Sequence, residues 1–229
     1  MNGEGLIIFV RHGESETNKF IHDSNNNYED YEEHKELSQK INSNGNPNLT
    51  KLGKAQAEFT ARFLMKKLKK MGSPKVEVNI SLYNRAQQTA EPFIELYGEY
   101  IAHHTTPELL EWTPKKKKLS QAHLDSGLKH DNSWDEFQDR VKRFVETLNE
   151  NSTIKIIFGH SMFISAVISY LASQKEWFPS IDQLCFQLPN CSISTVLKKP
   201  KRWATHYVGS ISHLADPLVT GTESEFGHN

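Results

Sequence analysis

Two stretches of this chain share one pattern, and it constrains the fold more than any other feature. Leu6-Ile7-Ile8-Phe9-Val10 runs directly into Arg11-His12-Gly13-Glu14, and the strongly β-prone run at 153–158 runs into Gly159-His160-Ser161. A short continuous apolar run reads as a strand buried on both faces. Each run then reverses polarity within one residue, offers a Gly and a His, and continues into a helix. Ser15, Thr17 and Asn18 suit the start of the first helix, and residues 162–172 are an apolar second one. In an open parallel α/β sheet, ligands sit beyond the carboxyl ends of the strands. Arg11, His12 and His160 therefore stand at the mouth of a site. An Arg is a planar fork suited to phosphate, and a neutral imidazole is a nucleophile. Gly13 lets the backbone pass close to a ligand or take a positive φ.

Between these two units, strands and helices alternate. Thr50 is the expected N-cap of a helix over 51–71, with an apolar stripe of Leu52, Ala55, Phe59, Phe63, Leu64, Leu68 and Met71. Gly72-Ser73-Pro74 ends it. A strand over 76–82 leads through Ser81-Leu82-Tyr83-Asn84-Arg85 into a helix reaching about 97, and a third strand is expected near 102–106. Ser133 caps a helix to about 149, with Phe137, Val141, Phe144, Val145 and Leu148 on one side. Two late strands follow near 193–197 and 203–207. The alternation predicts an α/β fold with a mainly parallel central sheet flanked by helices. Two excursions, 19–48 and 113–132, have little apolar periodicity and are expected beside the site. The domain is expected to span 1–218, with a disordered tail over 219–229.

Composition narrows the class. The chain has 229 residues, 37% hydrophobic and 24% charged, which suits one soluble domain with a real core. A net charge of −1 argues against a nucleic-acid partner. No apolar stretch approaches the roughly 20 residues that span a bilayer, and the N-terminus shows no secretory pattern. Cys185 and Cys191 make no disulfide framework and read as core thiols, so a cytoplasmic location is expected.

Parallel strands would gather Arg11, His12, Arg85 and His160 at one edge. Two guanidiniums and two imidazoles repel one another unless an anion sits among them. A phosphoryl dianion fits, because each arginine offers bidentate hydrogen bonds. The spacing carries no metal signature, since a zinc site would want a third His or a carboxylate and no neighbouring Arg pair. His103 and His104, adjacent on a strand, face opposite ways. No metal and no other cofactor is expected.

Six motifs in order resemble the histidine phosphatase superfamily, the phosphoglycerate mutase-like proteins. They are Arg11-His12-Gly13-Glu14 with Thr17 and Asn18; Leu49-Thr50 with Gly53, Gln56 and Ala57; Ser81 through Arg85-Ala86 with Thr89-Ala90; Gly159-His160-Ser161; Asn190-Cys191-Ser192-Ile193; and His213-Leu214. The resemblance implies a three-layer α/β/α fold and metal-independent phosphoryl chemistry. His12 would become phosphorylated. Arg11, Arg85 and His160 would hold the phosphoryl oxygens. Asn18, Thr17 and the Ser161 N–H would add contacts to substrate. A carboxylic acid after the third strand would protonate the leaving oxygen and then activate water. Pro107-Glu108-Leu109-Leu110-Glu111 selects Glu111 for that role, with Glu108 as the alternative.

The chain departs from the family pattern in places. Leu82 stands where Pro is usual, and Ser161 where Gly often follows the second His. Glu111-Trp112-Thr113-Pro114 does not match the run found in phosphoglycerate mutases, which favours a phosphatase over mutase-type transfer. A non-catalytic module that binds phosphate or phosphoprotein is the reading from another class. The expected partner is a small phosphorylated substrate or a phosphoprotein, with no nucleic acid and no membrane. Four lysines at 115–118 read as a solvated face, with attraction of substrates bearing several phosphates or acidic groups as the alternative.

Overall fold

A computed structural model of the chain describes residues 5–25, 46–98, 101–112, 133–148, 154–180, 188–200 and 202–221. Most of the first excursion, all of 113–132 with its lysines, Cys185 and the tail 222–229 lie outside the described residues. Five helices and six strands are set out in the order β1 (Gly5–Arg11), α1 (Glu16–Asn25), α2 (Lys51–Lys70), β2 (Val76–Ile80), α3 (Asn84–Tyr97), β3 (Ile101–Thr105), α4 (Trp134–Thr147), β4 (Ile154–Gly159), α5 (Ser161–Ala172), β5 (Ile193–Lys199) and β6 (Arg202–Ser210). Short 3-10 turns at Pro107–Leu109 and Asp216–Leu218 complete it. No described helix is long and apolar enough to cross a membrane.

The strands form one sheet in the order β3-β2-β4-β1-β5-β6. β1, β2, β3 and β4 are parallel neighbours, while β5 runs antiparallel to both β1 and β6. The sheet is therefore mixed and mostly parallel. Side chains on a strand alternate between faces, and β1 builds two cores at once. Ile7 and Phe9 join Phe137, Val141, Phe144, Phe163 and Val167 of α4 and α5 on one side. Ile8 and Val10 join Leu64, Leu68, Ala90 and Phe93 of α2 and α3 on the other. The result is a three-layer α/β/α sandwich.

Register decides what meets beyond the carboxyl ends of the parallel strands. Arg11 pairs with Gly159, and Ile80 pairs with Phe158. The residues that follow these three strand ends, His12, Ser81 and His160, are thus neighbours by construction.

Two sequence expectations need correction. The stretch after Asn18 is not irregular at its start, since α1 continues to Asn25. Lys19 and Asp23 form an i,i+4 ion pair at 2.7 Å along it, with Asp23 buried. The buried face of α2 also differs from the expected stripe. Gly53, Gln56, Ala57, Thr60, Ala61, Leu64 and Leu68 are buried, whereas Phe59 is 49% exposed. Close approach explains the small residues. A Cβ on Gly53 would lie 2.0 Å from the Glu14 carbonyl oxygen, and one on Gly13 would lie 2.6 Å from the Gly53 carbonyl oxygen. Bulky apolar side chains on this face would hold the helix off the loop.

The start of α2 is tied to that loop by polar contacts. Thr50 caps the helix by accepting from Gly53 N. Its N–H donates to Glu14 O at 2.9 Å, and its hydroxyl donates to Glu14 Oε1 at 2.6 Å. Glu14 N donates to Gln56 Oε1 at 2.7 Å. Gly13 has no positive φ among the described residues, so its role is close contact with helix backbone.

The contact predicts the effect of one methyl group. Gly53→Ala forces the loop after β1 away from α2, because the clashing atoms are backbone. Urea unfolding should show a loss of about 1–3 kcal/mol. Gly5→Ala, where φ is not positive and a Cβ meets only the Lys198 side chain at 3.4 Å, serves as the comparison for the cost of a Cβ alone.

Candidate active site

The loop after β1 is fixed by backbone on both sides. His12 N donates to Gly159 O at 3.0 Å, and Arg11 N donates to Ser192 O at 3.1 Å. The His12 carbonyl accepts from Cys191 N at 3.2 Å and Asn190 Nδ2 at 3.1 Å. Gly13 N donates to Thr89 Oγ1 at 2.9 Å, and that hydroxyl donates to Arg85 O at 2.6 Å. Thr89 thus links the loop to the first turns of α3, which carries Arg85.

These contacts set the His12 ring. Its Nδ1 lies 2.7 Å from Gly13 O. A carbonyl can only accept, so the proton sits on Nδ1 and the Nε2 lone pair faces outward. Arg85 Nε donates to that lone pair at 3.2 Å. His12 is buried, and its pKa lies well below the usual histidine value. Burial is the largest cause, followed by the charges of Arg85 and Arg11, against an opposing pull from the bond to Gly13. The ring is a neutral imidazole at neutral pH.

His160 caps α5 and is fully buried. Its Nε2 lies 2.8 Å from Ser81 Oγ, and its ring centre is 5.2 Å from that of His12. Its Nδ1 is buried with no hydrogen-bond partner among the described residues. Its pKa is also held well down, by burial first and then by Arg85, His12, Arg11 and Arg140. Tyr83 packs edge-on against His160, ring centres 5.1 Å apart, and lies under the Arg85 guanidinium at 4.3 Å. One aromatic ring thus contacts two of the site's basic side chains, a role its position in the sequence did not signal.

Arg11 is buried and donates through Nη1 to Leu188 O and, at 3.4 Å, to Gly221 O. Residues 219–221 belong to this wall, contrary to the expectation of a disordered tail from 219. Asn190 N donates to Thr220 O at 2.9 Å, and Gln56 Nε2 reaches Leu218 O at 2.7 Å and Thr220 Oγ1 at 2.8 Å. A Cβ at Gly221 would lie 2.4 Å from Asn190 Oδ1 and 2.9 Å from Arg11 Nη1.

Glu111 reaches the same edge by way of α5. Its Oε2 accepts from Met162 N at 3.1 Å, and its Oε1 from Phe163 N and Trp112 N, both at 3.1 Å. Met162 and Phe163 lie in the first turn after His160, where N–H groups lack helical partners. Three N–H donors suit an ionised carboxylate, whereas the resemblance implies an acid protonated at the start of the cycle. Glu108 takes part through its carbonyl, which accepts from Arg140 Nη1 at 2.5 Å.

The remaining candidates sit around this centre. Asn18 Oδ1 accepts from Ser15 N, Ser15 Oγ and Asn190 Nδ2, at 3.2, 3.0 and 3.1 Å. Ser161 Oγ accepts from Leu188 N at 3.3 Å. Thr17 is half-exposed on α1, and among the described residues no bond ties it to His12 or the arginines. Arg140 was missed in the sequence. It lies among Phe137, Val141 and Phe144 on one helical face, and a cation inside an apolar stripe was the available signal.

Comparison with known proteins agrees with this architecture. No curated protein matches the chain in sequence. Among solved structures, a candidate alpha-ribazole-5'-P phosphatase from Escherichia coli is similar with a TM-score of 0.62 and 18% identity, over 90% of this chain and 96% of that one. A phosphoserine phosphatase from Entamoeba histolytica, in complex with 3-phosphoglyceric acid, gives 0.60 and 21%, over 92% and 100%. A mycobacterial glucosyl-3-phosphoglycerate phosphatase gives 0.58 and 17%, over 90% and 98%. At these identities the likeness shows the fold. The sequence profile of the histidine phosphatase superfamily, branch 1, matches residues 7–210, and the chain belongs to that superfamily.

Proposed function

We propose that the chain hydrolyses a small phosphomonoester through a phosphohistidine on His12, without a metal. The observation that carries this reading is the orientation of His12, with Nδ1 tied to Gly13 O and the Nε2 lone pair turned toward Arg85. A neutral, buried imidazole needs no deprotonation before it attacks. Arg85 Nε would exchange its bond to Nε2 for a bond to an incoming phosphoryl oxygen, freeing the lone pair as substrate binds.

In the first step the Nε2 lone pair bonds to phosphorus and the bond to the ester oxygen breaks. Arg11, Arg85 and His160 take the charge on the three remaining oxygens. His160 Nδ1 is the buried donor left over for this once Ser81 holds Nε2. The leaving oxygen takes a proton from Glu111, which must gain that proton as the substrate's negative charge arrives, because its three N–H bonds favour the ionised form before then. In the second step a water oxygen attacks phosphorus, Glu111 takes the water's proton, and the P–N bond breaks to restore the lone pair and release phosphate. Glu111 is favoured over Glu108 by its bonds to the first turn after His160. The names of the similar structures, a phosphoserine phosphatase and a glucosyl-3-phosphoglycerate phosphatase, support a small phosphorylated metabolite as substrate. A cytoplasmic setting goes with this reading, supported by the free, buried thiol of Cys191.

Hydrolysis of nitrophenyl phosphate tests the scheme directly. Activity should persist in EDTA and fall on the order of 10⁴-fold or more in His12→Ala. Acid-labile, base-stable phosphate should be trapped on the wild type and absent from that variant. Release of phosphate to water identifies a hydrolase; return of the label to a second small molecule would instead identify mutase-type transfer. Binding without turnover would identify a module.

The pH profile has a definite sign. A lowered His12 pKa keeps the nucleophile neutral until the pH falls well below the usual value of about 6.5. The kcat/KM for nitrophenyl phosphate should therefore show no downward break near that value as the pH is lowered from 7 to 5.5. A break there that moves to higher pH when the Arg85 charge is removed would show His12 titrating in that range and would contradict the assignment.

Tyr83 gives a graded test of the arginine platform. Tyr83→Phe keeps the ring and should retain activity. Tyr83→Leu loses a cation–π contact of about 1 kcal/mol, and KM for substrate or inhibition by inorganic phosphate should weaken about fivefold.

A further inference from the structure

Arg140 is a buried cation that the catalytic scheme above does not use. It is 3% exposed on the inner face of α4. Its Nη1 donates to Glu108 O at 2.5 Å and to Leu110 O at 2.7 Å. Its guanidinium carbon lies 5.1 Å from the centre of the Phe137 ring and 5.6 Å from that of Phe163. Both acceptor carbonyls belong to the segment that delivers Glu111, and the Leu110 carbonyl is part of the peptide bond to Glu111 itself. Phe163 closes the arrangement, since its ring lies beside Arg140 while its N–H donates to Glu111 Oε1.

We propose that Arg140 is a positioning residue for the proton-transfer group, fixing the 107–111 turn against the start of α5 so that the Glu111 carboxyl meets the leaving oxygen. The inference rests on the reading of Glu111 as that group. A stability role alone does not call for a cation here. Apolar residues pack such interiors as well or better than buried charges, and Leu109 and Leu110 already fill the space beside it. A guanidinium is favoured where one planar group must serve two carbonyls and also lie against two aromatic rings. The compact ammonium of lysine cannot do both.

Leaving-group dependence separates positioning from folding. The ester oxygen of dinitrophenyl phosphate departs without a proton, whereas that of phenyl phosphate needs one. Arg140→Lys should lower kcat/KM for phenyl phosphate about 10- to 100-fold and for dinitrophenyl phosphate less than about threefold. Combined with Glu111→Gln, it should add little to the loss from Glu111→Gln alone. Arg140→Gln, which keeps a donor for one carbonyl, gives a second reading should the Lys variant not fold. Equal losses on both esters in a folded Arg140 variant, with Glu111→Gln still selective for phenyl phosphate, would overturn the inference and leave the catalytic scheme standing. Equal losses in Glu111→Gln would overturn the acid assignment and this inference with it.

Discussion

Two permanent positive charges at one sheet edge set the terms for everything around them. Arg11 ends the central strand and Arg85 opens α3, and neither guanidinium can be neutralised by losing a proton. Their neighbours answer that charge in different ways. Arg11 is met by the carbonyls of Leu188 and Gly221. Arg85 lies over the Tyr83 ring and donates to His12. The two histidines answer by staying neutral, each held well below its usual pKa by burial and by the arginines. A pocket assembled this way keeps its charge for a ligand that supplies negative oxygens.

The sheet makes that concentration of charge geometrically stable. β1 and β4 are buried on both faces and locked in parallel register, with Arg11 opposite Gly159. Thr89, Asn190 and the glycine pair Gly13 and Gly53 then fix the loop beyond them. Glu111 sits outside this frame, on a turn clamped by Arg140 and tied to the free N–H groups of α5. The arginine and histidine cluster and the Glu111 carboxyl therefore belong to different supports joined at one helix start.

Much of this was legible in the sequence, and the parts that were not share a cause. β1 announces itself as an unbroken apolar run and β4 as a β-prone run interrupted by Lys155, each followed by a Gly and a His, so the strands and the residues at their ends follow from local pattern. The helix caps at Thr50 and Ser133 are equally local and both stand. The buried face of α2 is not local. Hydrophobicity selects Phe59, but the loop after β1 demands small residues, and only the tertiary contact at Gly53 decides between them. Arg140 was hidden for a related reason, because its acceptors are backbone carbonyls some thirty residues earlier in the chain. Residues 219–221 lack periodicity, yet Asn190, Gln56 and Arg11 hold them in place. The helical continuation of α1 through Asn25 lacks an apolar stripe and leans on an ion pair.

The bond from Arg11 to Gly221 also fixes an order of events when the protein is made. Arg11 leaves the ribosome early, whereas Leu188, Asn190 and Gly221 follow some 180 to 210 residues later. The strand that carries Arg11 and leads to His12 is thus synthesised long before the carbonyls that anchor its arginine. Contacts so distant in sequence form slowly, and a nascent chain can build the α2 and α3 layer without owning a finished pocket. The wall around Arg11 is complete only once the segment at Gly221 has met it.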